Sequence, residues 1–202
     1  MAENAVEDEE TAAETGRESR EPCWRGREVG LAPLDVDDAE LMHRWRSDPV
    51  AAHEIGIWPR PLSGLRERIE RYIDNQDRDD FVVLLPDSTP IGHIALADQD
   101  IADGTADVHL MLAPEYRGQG YGTDALDALV DLAFGELPLH RLQAITHSDN
   151  TAALATLEKS GFLREGVRRS ACLHRGRRHD LAVLSLLRPE WEELARPRSW
   201  DL

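Results

Sequence analysis

Apolar residues along the chain alternate between a strand-like period of two and a helix-like spacing of three to four, and the switches between the two mark the elements. Val29 to Leu34 predicts a first strand, and Asp35-Val-Asp-Asp then supplies N-cap residues for a helix carrying Leu41, Met42 and Trp45. Beyond the Trp58-Pro-Arg-Pro61 break, Leu65, Ile69, Tyr72 and Ile73 recur at helical spacing, with Ser63 as the predicted cap. Phe81 to Leu85 and Ile91 to Leu96 flank Pro86-Asp-Ser-Thr-Pro90, which predicts two antiparallel strands joined by a turn. A strand over Thr105 to Leu112 leads through a glycine-rich loop into a helix over 119–134, whose Leu126, Leu129, Val130 and Ala133 share one face. A strand over Arg141 to Thr146 and a helix over Thr151 to Lys159 follow, the helix stopped by Gly161. Two further strands, Val167 to Leu173 and Asp180 to Leu187, meet at the Arg175-Gly176 turn, and Pro189-Glu-Trp191 opens a short terminal helix. The predicted class is α/β of the α+β kind: a mixed, mostly antiparallel central sheet flanked by helices on both faces.

A chain of 202 residues suits one ordinary domain that needs neither disulfide nor metal to hold its core. Residues 1–22 are acidic with almost nothing to bury and read as a disordered tail, leaving a single domain over 23–195 and a C-terminal tail over 196–202. Cys23 and Cys172 are too few and too far apart to suggest a bridge, and no apolar run approaches membrane-spanning length. No secretory segment is visible, so the expected compartment is the cytoplasm, with no membrane partner. The formal net charge of −16 disfavours a nucleic-acid partner. Between Glu115 and Glu190 the charges balance, so the excess acid lies earlier, from Asp35 to Asp107, where it would attract cations.

The loop Arg117-Gly118-Gln119-Gly120-Tyr121-Gly122 sits between a strand and a helix. Its glycines let the backbone approach a ligand closely, and the first amides of the helix point outward together, which makes an anion site. A phosphate-binding P-loop would end in Gly-Lys-Ser/Thr, and a dinucleotide fold would need another Gly and a ribose-binding acid; neither pattern is here. The remaining pattern, Arg-x-x-Gly-x-Gly after a strand, resembles the GNAT superfamily of acyl-coenzyme A dependent N-acyltransferases. A second block, Asn150-Thr-Ala-Ala153 leading to Leu157-Glu158-Lys159-Ser160-Gly161-Phe162, is similar to the RimJ/RimL-type branch named for ribosomal-protein N-terminal acetyltransferases.

The resemblance implies a fold whose fourth and fifth strands splay apart, and acetyl-CoA as cosubstrate with no metal. It assigns the diphosphate to Arg117, Gly118, Gln119, Gly120, Tyr121, Gly122 and Thr123, and the pantetheine arm to Leu110, Met111, Leu112 and Asn150. The amide of Leu110 or Met111 would face the thioester oxygen. Asn150 has a second reading as the cap of its helix. For the base, His109 leads, with Asp107 two residues earlier on the same strand face and His93 on a neighbouring strand as alternatives. Trp58, Asp48 and Glu54 come from the region that walls the acceptor site in the family. Leu157 and Ala153 stand where relatives carry Tyr and Ser, so the departing thiolate either leaves unprotonated or takes its proton elsewhere.

The run His174-Arg175-Gly176-Arg177-Arg178-His179 contains no complete zinc set and reads as a solvated hairpin framing the acceptor cleft. The expected activity is direct transfer of an acyl group, acetyl first, to a primary amine on a cationic small molecule or a protein N-terminus. The alternatives are a non-catalytic acyl-CoA sensor and a transferase using a larger acyl or aminoacyl donor. Dimers are common in the family, which leaves a homodimer open.

Overall fold

The computed structural model describes residues 20–47 and 60–202. Eight strands form one sheet in the order β1-β2-β3-β4-β5-β6-β8-β7, with β1 at Trp24–Arg25, β2 at Gly30–Pro33, β3 at Asp79–Leu84 and β4 at Pro90–Asp100. The remaining strands are β5 at Thr105–Leu112, β6 at Arg141–His147, β7 at Leu163–His174 and β8 at Arg177–Leu187. Among the described residues only β5 and β6 pair in parallel; the other neighbours are antiparallel. Among the described residues the α-helices are α1 (Ala39–Ser47), α2 (Leu62–Ile73), α3 (Tyr121–Glu136), α4 (Thr151–Lys159) and α5 (Arg188–Glu193).

Period-two alternation sorts the core into two layers. Leu31, Phe81, Val83, Val108, Leu142 and Ala144 point to one face and pack with the apolar side of α3 and with Leu157 of α4. Their neighbours Ala32, Val82, Leu84 and Met111 point to the other face and pack with Leu41, Met42 and Trp45 of α1 and Leu65 and Ile69 of α2. Asp35 does cap, as expected: its side chain accepts from the Asp37 amide, and the Asp38 carboxylate accepts from the Asp35 amide, opening a 3₁₀ turn that runs into α1.

Several boundaries differ from the sequence expectations. Helix α2 begins at Leu62 behind Pro61, with no side-chain cap, so Ser63 lies inside the first turn instead of capping it. Strand β1 pairs Trp24 with Leu31, and Arg20, assigned to the acidic tail, donates to Asp38 at 2.6 Å. The 196–202 segment packs back on the domain. Asp131 of α3 is fully buried and accepts from Trp191 Nε1, from both terminal nitrogens of Arg196, and from the amide and hydroxyl of Ser199. Strands β6, β7 and β8 are tied by Glu165, which accepts a two-nitrogen fork from Arg141 and a hydroxyl from Ser185; Arg141 first, then Ser185, holds its pKa down to about 2.

Candidate active site

The parallel register of β5 with β6 runs only through Thr105↔Arg141, Ala106↔Leu142 and Asp107↔Gln143. Beyond Asp107 the two strands separate while β5 stays paired to β4 as far as Leu112↔Gly92, so one edge of β5 faces a notch. Which amides line the notch follows from the ladder. The Ala113 amide donates to Ile91 at 2.9 Å, toward β4, and antiparallel pairing alternates direction residue by residue. The amides of Met111, His109 and Asp107 therefore point to β4, and those of Leu112 and Leu110 point into the notch, while Val108 is still within the β6 ladder that ends at Asp107↔Gln143. The Leu112 carbonyl agrees, since it is turned outward and accepts from Arg117 Nε at 3.0 Å.

The glycine loop closes one end of the notch. Gly118 (φ 72°) and Gly120 (φ 94°) occupy the left-handed region, and a Cβ at either would meet nothing within 4 Å, so the loop is not held open by packing. Gly120 is the N-cap of α3 and no side chain caps that end. Asp124, in the first turn, faces away: its carboxylate accepts from the amides of Arg27, Glu28 and Val29. The positive end of a sixteen-residue helix is thus presented to the loop without a protein anion on it, a fit for a diphosphate. Gln119 donates to the Glu115 carbonyl and Arg117 braces Leu112, so both side chains support the loop's shape. Asn150 caps α4 by accepting from the Ala153 amide at 3.0 Å. Leu157 is 8% exposed and part of the core.

These features give the loop a testable sensitivity. Gly120→Ala must place a Cβ-bearing residue in the left-handed region, at a cost of about 1–2 kcal/mol. Acetyl-CoA affinity is expected to fall about tenfold, which isothermal titration calorimetry would measure. Unchanged affinity would remove the loop from the coenzyme site.

On the α1/α2 face, Asp107, His109 and Met111 project from β5 and His93 from β4, paired opposite Met111. His93 is 4% exposed, and its Nε2 lies 2.8 Å from Asp80, which also receives Arg78. Burial opposes the Asp80 charge, but hydrogen bonds from His93 and Arg78 outweigh it and hold the pKa to about 2. Burial lowers the His93 pKa despite the opposing pull of Asp80. His109, by contrast, is open to solvent on one side. Its pKa is also lowered, first by desolvation and then by Arg78, against the opposing pull of Asp107 and Asp98. Asp107 is anchored by Gln143 at 3.2 Å, and burial raises its pKa. The structure thus gathers His109, Asp107 and His93 on one face, with only His109 of the two histidines reachable by a substrate. Asp48, Glu54 and Trp58 lie outside the described residues.

The sequence comparisons agree with this geometry. Residues 28–163 match the model of the acetyltransferase (GNAT) domain. The protein named Probable N-acetyltransferase YjcK of Bacillus subtilis is 30% identical over 181 residues, covering 84% of this chain and 99% of the relative. Spermidine N(1)-acetyltransferase of Escherichia coli is 28% identical over 142 residues, 68% of this chain and 74% of the relative. Among solved structures, spermidine N-acetyltransferase from Vibrio cholerae in complex with CoA and spermine superposes with a TM-score of 0.78 at 22% identity, covering 82% and 99% of the two chains. Splayed parallel strands, an uncapped helix behind a glycine loop and a family match over two-thirds of the length lead to one conclusion: this chain belongs to the GNAT family and is an acyl-coenzyme A dependent N-acetyltransferase.

Proposed function

We propose that the acceptor is a small polycationic amine of the polyamine class, acetylated by direct attack on the thioester. The observation that carries this reading is the placement of Asp98 and Asp107, whose charges both act on His109 at the end of the sheet where the β4–β5 turn also carries Asp100 and Asp103. A polyamine has more than one charged nitrogen. One can rest against these carboxylates while another, deprotonated, is offered to the thioester. The Vibrio cholerae and Escherichia coli relatives, whose names specify spermidine, support the same class.

The residues divide the work as follows. The amides of the Gly118–Gly122 loop hold the diphosphate with Thr123 beside them, and the pantetheine amides add to the exposed edge of β5 as a short strand beside Leu110 and Leu112, near Asn150. Because the Leu110 amide faces the notch while the Met111 amide is turned to β4, Leu110 donates to the thioester oxygen and stabilises the oxyanion of the tetrahedral intermediate. His109 removes the proton from the attacking ammonium, directly or through a water, and Asp107 keeps the imidazole basic enough for that task. Asp80, Arg78 and His93 form the rigid floor beneath it. Collapse of the intermediate breaks the C–S bond and releases the coenzyme thiolate.

Thiol release from acetyl-CoA in the presence of spermidine tests the reading. Turnover with spermidine, and an Asp98→Asn variant whose KM rises about tenfold with kcat little changed, are the expected results, corresponding to one lost charge contact of about 1.4 kcal/mol. A second acceptor class, the protein N-terminus, is favoured by the Asn150–Ala153 and Leu157–Phe162 blocks that resemble the RimJ/RimL-type branch. Faster turnover of N-terminal peptides than of any polyamine would replace the first reading with it.

A further inference from the structure

The face that carries His109 at one end carries a second cluster at the C-terminal end of β6. Leu142 and Ala144 point into the α3 core, so Arg141, Gln143, Ile145 and His147 point to the opposite face. His147 pairs with Leu181 of β8, and His179, two residues before it, lies on the same face opposite Cys172 of β7. The turn after β6 is locked, because the Asn150 amide donates to the His147 carbonyl and the Ser148 amide to the Asp180 carbonyl, both at 3.0 Å. That turn carries Asp149 to a point between the two rings. Its Oδ1 lies 4.0 Å from His147 Nδ1, and its Oδ2 lies 3.9 Å from His179 Nδ1. One donor atom from each of His147, Asp149 and His179 falls within 4.8 Å of the others. His147 is buried and His179 half-buried, with the rings 5.7 Å apart.

We propose that His147, Asp149 and His179 bind a divalent transition metal of the zinc class. A tetrahedral zinc with bonds of about 2.0–2.2 Å spaces its donors by roughly 3.3–3.6 Å, so the three need to close by only about an ångström. The outer contact is also in place. A ligating imidazole that binds through Nδ1 presents Nε2–H to a second group, and His147 Nε2 lies 3.8 Å from Cys172 Sγ. Ligand softness chooses the metal. Two imidazole nitrogens and one carboxylate suit zinc, whereas magnesium prefers six oxygens. Arg175, Arg177 and Arg178 on the adjoining turn further disfavour a hard cation held by charge alone. The hairpin by itself holds no zinc set; the missing donors come from β6 and the turn after it. A metal here would clip the turn that starts α4 to the β7–β8 hairpin, independently of the acyl-transfer chemistry and of the acceptor's identity.

The test uses the full-length protein, untagged and stripped with chelator. Equilibrium dialysis against zinc chloride, with metal counted by atomic absorption, is expected to give one zinc per chain, and zinc but not magnesium should raise the melting temperature. The His147→Ala/His179→Ala double variant, shown to be folded by circular dichroism, should lose the zinc. Cys172→Ala should retain it with affinity lowered by about 10-fold to 100-fold. No zinc uptake by the parent, equal uptake by the folded double variant, or an equal response to magnesium would overturn the proposal.

Discussion

Replacing His109 with glutamine is expected to lower kcat by about 100-fold to 10,000-fold, the range that a positioned general base contributes. Acetyl-CoA affinity should hardly change, because the coenzyme contacts proposed here are backbone amides that point into the notch, while the imidazole projects from the α1/α2 face. The pH profile provides a check that a structural role would not pass. A base works when it is unprotonated, so kcat/KM should rise with pH through the pKa of His109 in the free enzyme. Desolvation and Arg78 set that pKa below its ordinary value of 6.5. The acid limb should therefore lie under pH 6.5 and vanish in His109→Gln. The acceptor amine loses its proton only at far higher pH and adds a separate slope. Asp107 raises the His109 pKa, so Asp107→Asn should move the acid limb to still lower pH. Turnover within a few-fold of the parent with the acid limb intact would remove His109 from the mechanism.

Acid should also act on the fold beneath this site. Asp80 is held at about 2, against an ordinary value of 3.8, so it contributes stability above its unfolded pKa that is lost as pH falls through the folded value. The buried, depressed His93 works in the same direction, since the unfolded chain binds its proton first. Both terms make the native state weaken on acidification.

The order of strands and helices along the chain and the glycine loop between a strand and a helix were legible because they rest on short-range signals: period-two alternation, helical spacing, and the glycines themselves. Three features depend on register or on distant contacts and so escaped. The choice between Leu110 and Met111 as the notch-facing amide turns on which residue pairs with Gly92, a relation across two strands that hydropathy does not encode. Strand β1 is two residues long and exists only through its pairing with Leu31 and Gly30. The His147, Asp149 and His179 cluster is assembled from a strand end, a turn and another strand more than thirty positions away, and only the histidine run itself is visible in sequence. In each case the missing piece was the partner across the sheet or the turn, which only the fold supplies.

The C-terminal segment shows the same logic in its energetics, and Asp131→Ala is expected to destabilise the domain by about 3–5 kcal/mol. The Asp131 carboxylate is fully buried. Burial alone would raise its pKa, yet it is lowered, because hydrogen bonds from Arg196 and Trp191 together with the Arg196 charge outweigh desolvation. Removing it leaves the Trp191 indole N–H and the Arg196 guanidinium, each at 2.8 Å from the carboxylate, without their anion. It also frees the Ser199 amide, and with it the turn that seats Trp200 edge-on against Trp24 and Trp191. Because Trp24 belongs to β1, the loss should reach the first strand as well. Urea unfolding followed by tryptophan fluorescence would measure the change. A deletion of residues 196–202 should reproduce much of it, since the buried carboxylate would then face Trp191 alone. A loss under about 1 kcal/mol in Asp131→Ala would mean that the segment is held by its aromatic contacts and that the buried ion pair contributes little net stability.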